Sequence, residues 1–231
     1  MKLKAISSSM VLLIVCTGDV IGNHVRLRCV CRKACGFKSR PVHHNKIMLY
    51  TRKGDNGKTS LFSAKGGPAS GWGCDQKISK SSNITEALGA LDEANSFCGV
   101  CKSKISDIKI KDIINRIQND LFIVQAQLAG ADKKIKEGEV KYVEEIISDI
   151  EKQLPEIKSF LISGANEMSA NFDFARTLVR RAERRVVAVH EEGIAKIDSE
   201  TLVFMNRLSS LLYAFARYTA NKDGIETAPK Y

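Results

Sequence analysis

The chain has 231 residues, of which 44% are hydrophobic and 27% are charged, proportions that are ordinary for a folded globular protein. This length suffices for one domain with a sizeable core, and no stretch approaches the roughly 20 apolar residues of a membrane-spanning helix. The net charge of +10 is concentrated in residues 1–47, which hold nine Lys or Arg and one acidic residue. The remaining 27 basic and 25 acidic residues give residues 48–231 a charge of only +2, which excludes a general electrostatic footprint for nucleic acid.

Residues 1–47 are predicted to be a targeting sequence, and residues 48–231 a single folded domain. The segment is basic and poor in acidic residues, and it contains serines at positions 7–9, as mitochondrial transit peptides do. A secretory signal is the alternative, because the basic start is followed by a short apolar run at residues 10–15. The further basic residues between Arg26 and Arg40 favour a mitochondrial matrix location.

Residues 50–80 are rich in glycine and show neither helical nor strand periodicity, so they are predicted to form a loop. Residues 50–62 read YTRKGDNGKTSLF and bring together glycines, hydroxyl groups and basic side chains. These groups suit phosphate, because glycines let backbone N–H groups approach an anion. A P-loop is not indicated, because two residues separate Gly54 from Gly57 where that motif needs four.

Five amphipathic patterns follow, and no stretch predicts a strand. They cover residues 83–101, 110–128, 140–153, 166–192 and 199–221. Asn83, with Glu86 three residues later, is predicted to cap the first helix. Short connections between long amphipathic helices predict an all-α fold, an antiparallel helical bundle.

Cys98 and Cys101 form a C-x-x-C pattern at the end of the first predicted helix. A zinc site would need further ligands at suitable spacing, and a redox C-x-x-C usually begins a helix after a strand. Reduced structural thiols are therefore the favoured interpretation.

The fourth helix carries a charged face and an apolar face. Four charged residues share one face at i, i+4, i+7 and i+8: Arg176, Arg180, Glu183 and Arg184. Leu178, Ala182, Val186 and Val189 fall on another face, which suits a packed core. Like charges four residues apart weaken a helix, and an anion held by the guanidinium groups would offset that repulsion. A solvated, salt-bridged surface helix is the alternative.

Three stretches together carry a family resemblance. They are residues 50–62, the arginine-rich run at 174–187, and NRLSSLLYAFAR at 206–217. They resemble the ATP:cob(I)alamin adenosyltransferases of the PduO type, over residues 48–222. The resemblance implies a ferritin-like five-helix bundle that assembles as a homotrimer with active sites between subunits. It also implies a mitochondrial location, since eukaryotic members are mitochondrial.

The resemblance implies two sets of nucleotide contacts. The loop set that would bind the triphosphate of ATP comprises Thr51, Arg52, Lys53, Gly54, Thr59, Ser60 and Lys80, with Lys77 as an alternative to Lys80. The helical set comprises Arg180, Arg181, Ala182, Glu183, Arg184 and Asn206. An amide such as that of Asn206 can both donate to and accept from a base edge or a ribose hydroxyl.

The same resemblance implies a cobalamin side of the site. Asp92, in the stretch GALDE at residues 89–93, would pair with Arg176 of a neighbouring subunit, and Phe160 would pack against the lower face of the corrin. Arg176, Arg180, Glu183 and Asp92 are therefore the expected catalytic residues, and no protein metal site is expected.

The implied reaction transfers the 5′-deoxyadenosyl group of ATP to cob(I)alamin, giving adenosylcobalamin and triphosphate. Co(I) would attack the 5′ carbon of ATP, and Mg²⁺ with the arginine face would stabilise the departing triphosphate. A reductase that supplies Co(I) and a cobalamin-dependent enzyme that receives the product are expected partners.

The sequence departs from the family pattern at several positions. Ile162 replaces a usual proline, Ala165 replaces a glycine, and Ser210 replaces an aspartate; an arginine common near residues 83–85 is missing. These changes spare the nucleotide motifs but leave open a non-catalytic protein of the same fold that holds or delivers cobalamin. An RNA-binding bundle is a third reading, which the near-neutral domain and the lack of an aromatic stacking platform disfavour.

Overall fold

The computed structural model describes residues 52, 54–61, 77–156, 159–224 and 228–229. The predicted targeting sequence, residues 1–47, lies outside the described residues, as do Thr51 and Lys53 of the loop. Within the described residues the chain forms five helices, α1 Asn83–Lys104, α2 Ile108–Leu128, α3 Glu137–Glu151, α4 Glu167–Glu191 and α5 Ser199–Lys222. The predicted all-α bundle is confirmed, and the predicted helix bounds are shifted by a few residues at most.

The prediction that no stretch forms a strand is wrong for two short segments. Strands β1 Lys58–Ser60 and β2 Lys77–Ser79 pair antiparallel, with Thr59 opposite Ile78. Three residues are too few for an alternating pattern to be recognised in a sequence. Ile78 is buried in the core, and the N–H of Lys80 donates to the carbonyl of Gly57 at 2.9 Å, which closes the ladder.

The predicted capping role of Asn83 is also wrong. Helix α1 begins at Asn83 itself, and Ser82 is its N-cap. The Asn83 amide instead donates to both carboxylate oxygens of Glu192, at 2.8 and 2.7 Å, directly after α4. This contact ties the start of α1 to the end of α4, so these two helices run antiparallel.

The core is formed where α4 packs between α1 and α5, while α3 packs on α5 and α2 on α1. The predicted core stripe of α4 is confirmed, because Leu178, Ala182, Val186 and Val189 are all buried. At the opposite end from Asn83, the Asn166 side chain donates to the carbonyl of Thr219 at 2.9 Å, so α4 and α5 also run antiparallel. None of the described helices is both long and apolar enough to cross a bilayer.

Both cysteines of the C-x-x-C pattern belong to this core. Cys98 and Cys101 are buried free thiols, and burial raises the pKa of each to about 12. Thiols that remain protonated at neutral pH are poor metal ligands and poor nucleophiles. The structure thus agrees with reduced structural thiols.

Asp120 is a buried carboxyl group on α2. Burial and the nearby carboxylate of Glu139 raise the pKa of Asp120 to about 6, although the Arg116 guanidinium acts in the opposite direction. Arg116 is itself engaged, because it donates to Glu139 at 2.7 and 2.9 Å and stacks on the Tyr142 ring. The folded chain therefore binds more protons than the unfolded chain between about pH 4 and 6, and the free energy of unfolding falls as the pH rises through that window.

We predict that Asp120→Asn raises the free energy of unfolding at pH 7.5 by about 1–3 kcal/mol, because the amide removes the cost of a buried charge. At pH 4.5, where Asp120 is largely protonated in the folded chain, the gain should be much smaller. Urea denaturation at the two pH values measures the difference, with Asp149→Asn on the exposed face of α3 as the matched control. An equal gain at both pH values would contradict the assigned titration.

Candidate functional site

A cleft of about 270 Å³ opens between the charged face of α4 and the first half of α5. Its lining residues are Arg180, Glu183, Arg184, Val187, Ala188, Glu191 and Asn206. The α4 members follow helical spacing, so they lie along one face of the helix. The structure therefore brings together four predicted site residues, three from α4 and Asn206 from α5.

A chain of hydrogen bonds fixes the Asn206 amide at this cleft. Its nitrogen donates to Glu183 Oε1 at 3.0 Å, and its oxygen accepts from Arg207 Nη1 at 2.9 Å. Arg207 Nε in turn donates to Glu144 Oε1 on α3 at 2.7 Å. Since both ends of the amide are engaged, its orientation is set by the protein before any ligand arrives.

The electrostatics of the cleft favour an anion that carries several oxygens. Arg180 and Arg184 are exposed one helical turn apart, and Glu183 between them is committed to Asn206. Guanidinium groups bind phosphate or carboxylate oxygens bidentately. The carboxylate of Glu191 at the far end of the cleft could share a cation with such a ligand.

The glycine-rich loop places Lys80 beside Gly54. A Cβ atom at position 54 would lie 3.1 Å from Lys80 Nζ and 3.3 Å from its Cε, so the absence of a side chain there leaves room for the lysine. Lys77 is the first residue of β2, where it pairs with Ser60. Of the two lysines that the sequence offered, the structure therefore places Lys80 against the loop.

The loop and the cleft lie at the same end of the bundle. Strand β2 leads directly into α1, and Asn83 at the start of α1 bonds Glu192, the neighbour of the cleft residue Glu191. The β1–β2 hairpin and the cleft therefore lie near the same pair of helix ends. The hairpin carries Thr59, which is half-buried, and Ser60, which is exposed, while Arg52 before it adopts a positive φ of 58°.

Two residues assigned to the nucleotide lie away from the cleft in this chain. Arg181 points toward α1 and forms an ion pair with Glu93. Ala182 is fully buried in the bundle core. Their assignment rested on position in the motif alone, and helical geometry turns both away from the face of Arg180 and Arg184.

The residues assigned to the cobalamin side are spread over α1, α4 and the segment before α4. Asp92 lies on the exposed face of α1, where partial burial of its carboxyl raises the pKa of Asp92. Phe160 is 82% exposed. Arg176 lies one turn before Arg180, with its Nε 3.7 Å from Asp173 Oδ1.

A family model described as cobalamin adenosyltransferase matches residues 49–219. The chain belongs to this family. A corrinoid adenosyltransferase PduO from Citrobacter freundii is 33% identical over 178 residues, which is 74% of this chain and 49% of that protein. This chain therefore spans about half the length of that relative. A corrinoid adenosyltransferase from Bacillus subtilis is 34% identical over 187 residues, and the match covers 78% of this chain and 90% of that protein.

Solved structures agree with the family assignment. A variant of the PduO-type ATP:corrinoid adenosyltransferase from Lactobacillus reuteri, complexed with cobalamin and ATP, superposes with a TM-score of 0.70. The two chains are 28% identical, and the match covers 79% of this chain and 97% of the other. Another variant of that protein, complexed with ATP, gives a TM-score of 0.67 at 29% identity, over 79% of this chain and 99% of the other.

Within this cobalamin adenosyltransferase family member, sequence reasoning missed several cleft residues. Val187, Ala188 and Glu191 continue the spacing of Arg180 and Arg184 along α4, so helical periodicity could have found them. Arg207 was visible beside Asn206, but Glu144 lies 63 residues earlier on α3, and no local pattern connects it to the site.

Three of the four departures from the family pattern, those at Ile162, Ala165 and Ser210, lie outside the bundle core. Ile162 is exposed and Ala165 half-buried, both in the segment that precedes α4 and contains Phe160. Ser210 is exposed on α5. None of these three residues therefore belongs to the buried core or to the lining of the cleft.

Proposed function

We propose that this chain transfers the 5′-deoxyadenosyl group of ATP to cob(I)alamin, giving adenosylcobalamin and triphosphate. The observation that carries the proposal is the cleft, where Arg180, Arg184 and an oriented Asn206 form an anion-binding wall in a chain of this family. The Bacillus subtilis relative is named a corrinoid adenosyltransferase, and the Lactobacillus reuteri structure contains both cobalamin and ATP.

Each cleft residue has a task in this proposal. Arg180 and Arg184 bind triphosphate oxygens bidentately, and the amide of Asn206, held by Glu183 and Arg207, contacts the ribose or the base. The glycine-rich loop closes over the phosphates with Lys80 and the hydroxyl groups of its β1 strand. Binding of this kind positions the 5′ carbon of ATP and places positive charge where the leaving group develops negative charge.

The transfer step itself needs no side-chain nucleophile or base. An electron pair of Co(I) forms the cobalt–carbon bond as the bond between the 5′ carbon and the triphosphate oxygen breaks, and that oxygen keeps the electrons. Co(II) must first gain one electron, so a reductase is a proposed partner, as is an enzyme that receives the product. The exposed ring of Phe160 would exclude an axial ligand from the lower face of the corrin, which favours the reduced state.

Mg²⁺ is part of the proposal as the counter-ion of the triphosphate. Among the described residues no group of three or more His, Cys, Asp or Glu forms a metal site. The cleft nevertheless fits the ion, because Mg²⁺ in nucleotide sites uses one or two carboxylates together with phosphate oxygens. Glu191 is the lining carboxylate that would hold it, since Glu183 is committed to Asn206.

Arg180→Ala is expected to slow adenosyl transfer by about 30- to 1,000-fold, because it removes about 2–4 kcal/mol of stabilisation from the departing triphosphate. The assay incubates the purified chain with ATP, Mg²⁺ and chemically reduced cobalamin and follows the corrin spectrum. The matched control is Arg185→Ala, an exposed arginine of α4 outside the cleft lining, which should stay within about 2-fold of the unmodified chain. Undiminished transfer by Arg180→Ala, with unchanged circular dichroism, would contradict the site.

A non-catalytic protein that holds or delivers cobalamin is the second candidate. The observation behind it is that Ile162 and Ala165 lie in the same segment as Phe160, where the corrin would bind. The same assay separates the two functions. A delivery protein would bind cobalamin without converting its spectrum when ATP is added.

We also infer a homotrimer in which Asp92 of one subunit meets Arg176 of the next. An exposed apolar patch supports a subunit boundary there: Phe97 and Phe174 stack edge to face at 4.9 Å, and Phe174 remains 53% exposed two residues before Arg176. Exposed aromatic patches of this kind mark interaction surfaces.

Asp92→Asn should therefore weaken the trimer or its cobalamin affinity and leave ATP affinity within about 2-fold. A truly buried pair would lose about 3–5 kcal/mol, whereas an exposed one would lose under about 1 kcal/mol. Sedimentation, with ATP and cobalamin titrations, measures the effect, and Asp112→Asn on the exposed face of α2 is the control. A stable trimer with normal cobalamin affinity in this variant would contradict the role between subunits and would show that Asp92 is only a surface carboxylate.

We further infer that residues 1–47 direct the chain to the mitochondrial matrix. The support is compositional, since this segment carries a net charge of +8 and a serine run. A fluorescent protein fused behind residues 1–47 should accumulate in mitochondria. Its appearance in the secretory pathway would favour the signal-peptide alternative.

A further inference from the structure

Asp173, on α4, has an arginine facing each of its carboxylate oxygens. Oδ2 accepts a hydrogen bond from Arg217 Nη2 of α5 at 3.2 Å, and Oδ1 lies 3.7 Å from Arg176 Nε. The side chains of Asp173 and Arg217 are only 5% and 2% exposed. A buried ion pair is often no more stabilising than a well-packed apolar pair. We therefore looked for a role of Asp173 and Arg217 beyond stabilising the fold.

The ring of Tyr213 holds the two arginines in a common arrangement. Its centroid lies 5.2 Å from Cζ of Arg217 and 5.9 Å from Cζ of Arg176. A guanidinium near an aromatic face gains a cation–π attraction, which falls off with distance. Arg217 is therefore held by Asp173 and Tyr213 inside the bundle, and Arg176 is drawn toward the same two groups from the surface side.

Arg176 has one buried edge and one accessible edge. Its Nε is buried and has no hydrogen-bond partner, although the side chain as a whole is 29% exposed. The exposed area must consequently belong to other atoms of the side chain, including the terminal Nη groups. With Nε 3.7 Å from Asp173 Oδ1, the Nη edge remains available to a carboxylate or amide oxygen outside the bundle.

We propose that Asp173, backed by Arg217, is a positioning residue that fixes the Arg176 guanidinium for the cobalamin side of the site. This inference rests on the proposed function, which places cobalamin beside Arg176. Asp173 itself is too deeply buried to touch the substrate and acts through Arg176. Its charge also balances one of two arginines that would otherwise repel each other.

The kinetic test uses Asp173→Asn, which keeps the shape and removes the charge. The KM for cobalamin should rise about 10-fold or more, because a misplaced binding group loses much of its effect, whereas the KM for ATP should stay within about 2-fold. In an Arg176→Ala background, Asp173→Asn should add almost nothing, since the group through which it acts is gone. Asp149→Asn, an exposed aspartate of α3, is the matched control and should leave both constants unchanged.

The alternative is that Asp173 and Arg217 only stabilise the fold. A double variant that restores the packing with apolar side chains tests this alternative. Asp173→Leu combined with Arg217→Met replaces the buried ions with apolar groups, which is often neutral or stabilising. This double variant should unfold at a temperature close to that of the unmodified chain and still show the raised KM for cobalamin. Normal cobalamin kinetics in the folded double variant would overturn the proposal.

A spectroscopic test does not depend on adenosyl transfer. The Nε–H resonance of Arg176, assigned by its loss in Arg176→Lys, should move toward the position of exposed arginines in Asp173→Asn. An unchanged resonance would overturn the positioning role, even if the chain proves to be an active transferase. A shifted resonance in a chain without transferase activity would support the role while the proposed function fails.

Discussion

The packing of α4 against its neighbours is the constraint on which the rest of the structure depends. Helix α4 must bury one stripe between α1 and α5 while it presents its arginines to solvent. Alanines at buried positions, Ala175 and Ala182 on α4 with Ala216 and Ala220 on α5, let these helices pack closely. That packing leaves Arg180 and Arg184 on the open side and brings Glu183 against Asn206. A shift of α4 by one residue would move its arginines off this face and break the site.

Hydrogen bonds that span three helices fix the orientation of the polar groups at the cleft. Glu144 on α3 holds Arg207, Arg207 holds the amide oxygen of Asn206, and the amide nitrogen meets Glu183 on α4. Farther along α4, Asp173 connects Arg217 of α5 to Arg176. In both places a polar side chain lies against a charged residue of a neighbouring turn or helix. Such pre-organisation lowers the cost of aligning a bound ligand.

Helical periodicity made most of the fold and part of the site predictable from sequence. It gave the five helices, the apolar stripe of α4, and the shared face of Arg180, Glu183 and Arg184, since each depends on residues near one another in the chain. The β1–β2 hairpin could not be predicted, because strands of three residues are too short to show an alternation of apolar and polar side chains. The contact of Asn83 could not be predicted because its partner Glu192 is 109 residues away in the chain.

Ionic contacts between residues far apart in the chain could not be predicted from the sequence either. Hydropathy argues against a buried Arg217, and only the packing of α4 on α5 reveals that Asp173 compensates it from 44 residues away. A family motif also says which residues recur without saying which way they face, as Arg181 and Ala182 illustrate. Backbone geometry turned these two toward α1 and the core.

A crystal structure of the chain with ATP would test the central claim most directly, namely that the α4–α5 cleft is the nucleotide site. The account predicts triphosphate density against Arg180 and Arg184, with the ribose or base at Asn206 and the Lys80 loop closed over the phosphates. Triphosphate bound elsewhere, for instance in the cleft lined by Lys104, Asn166 and Lys222 at the opposite end of the bundle, would contradict it.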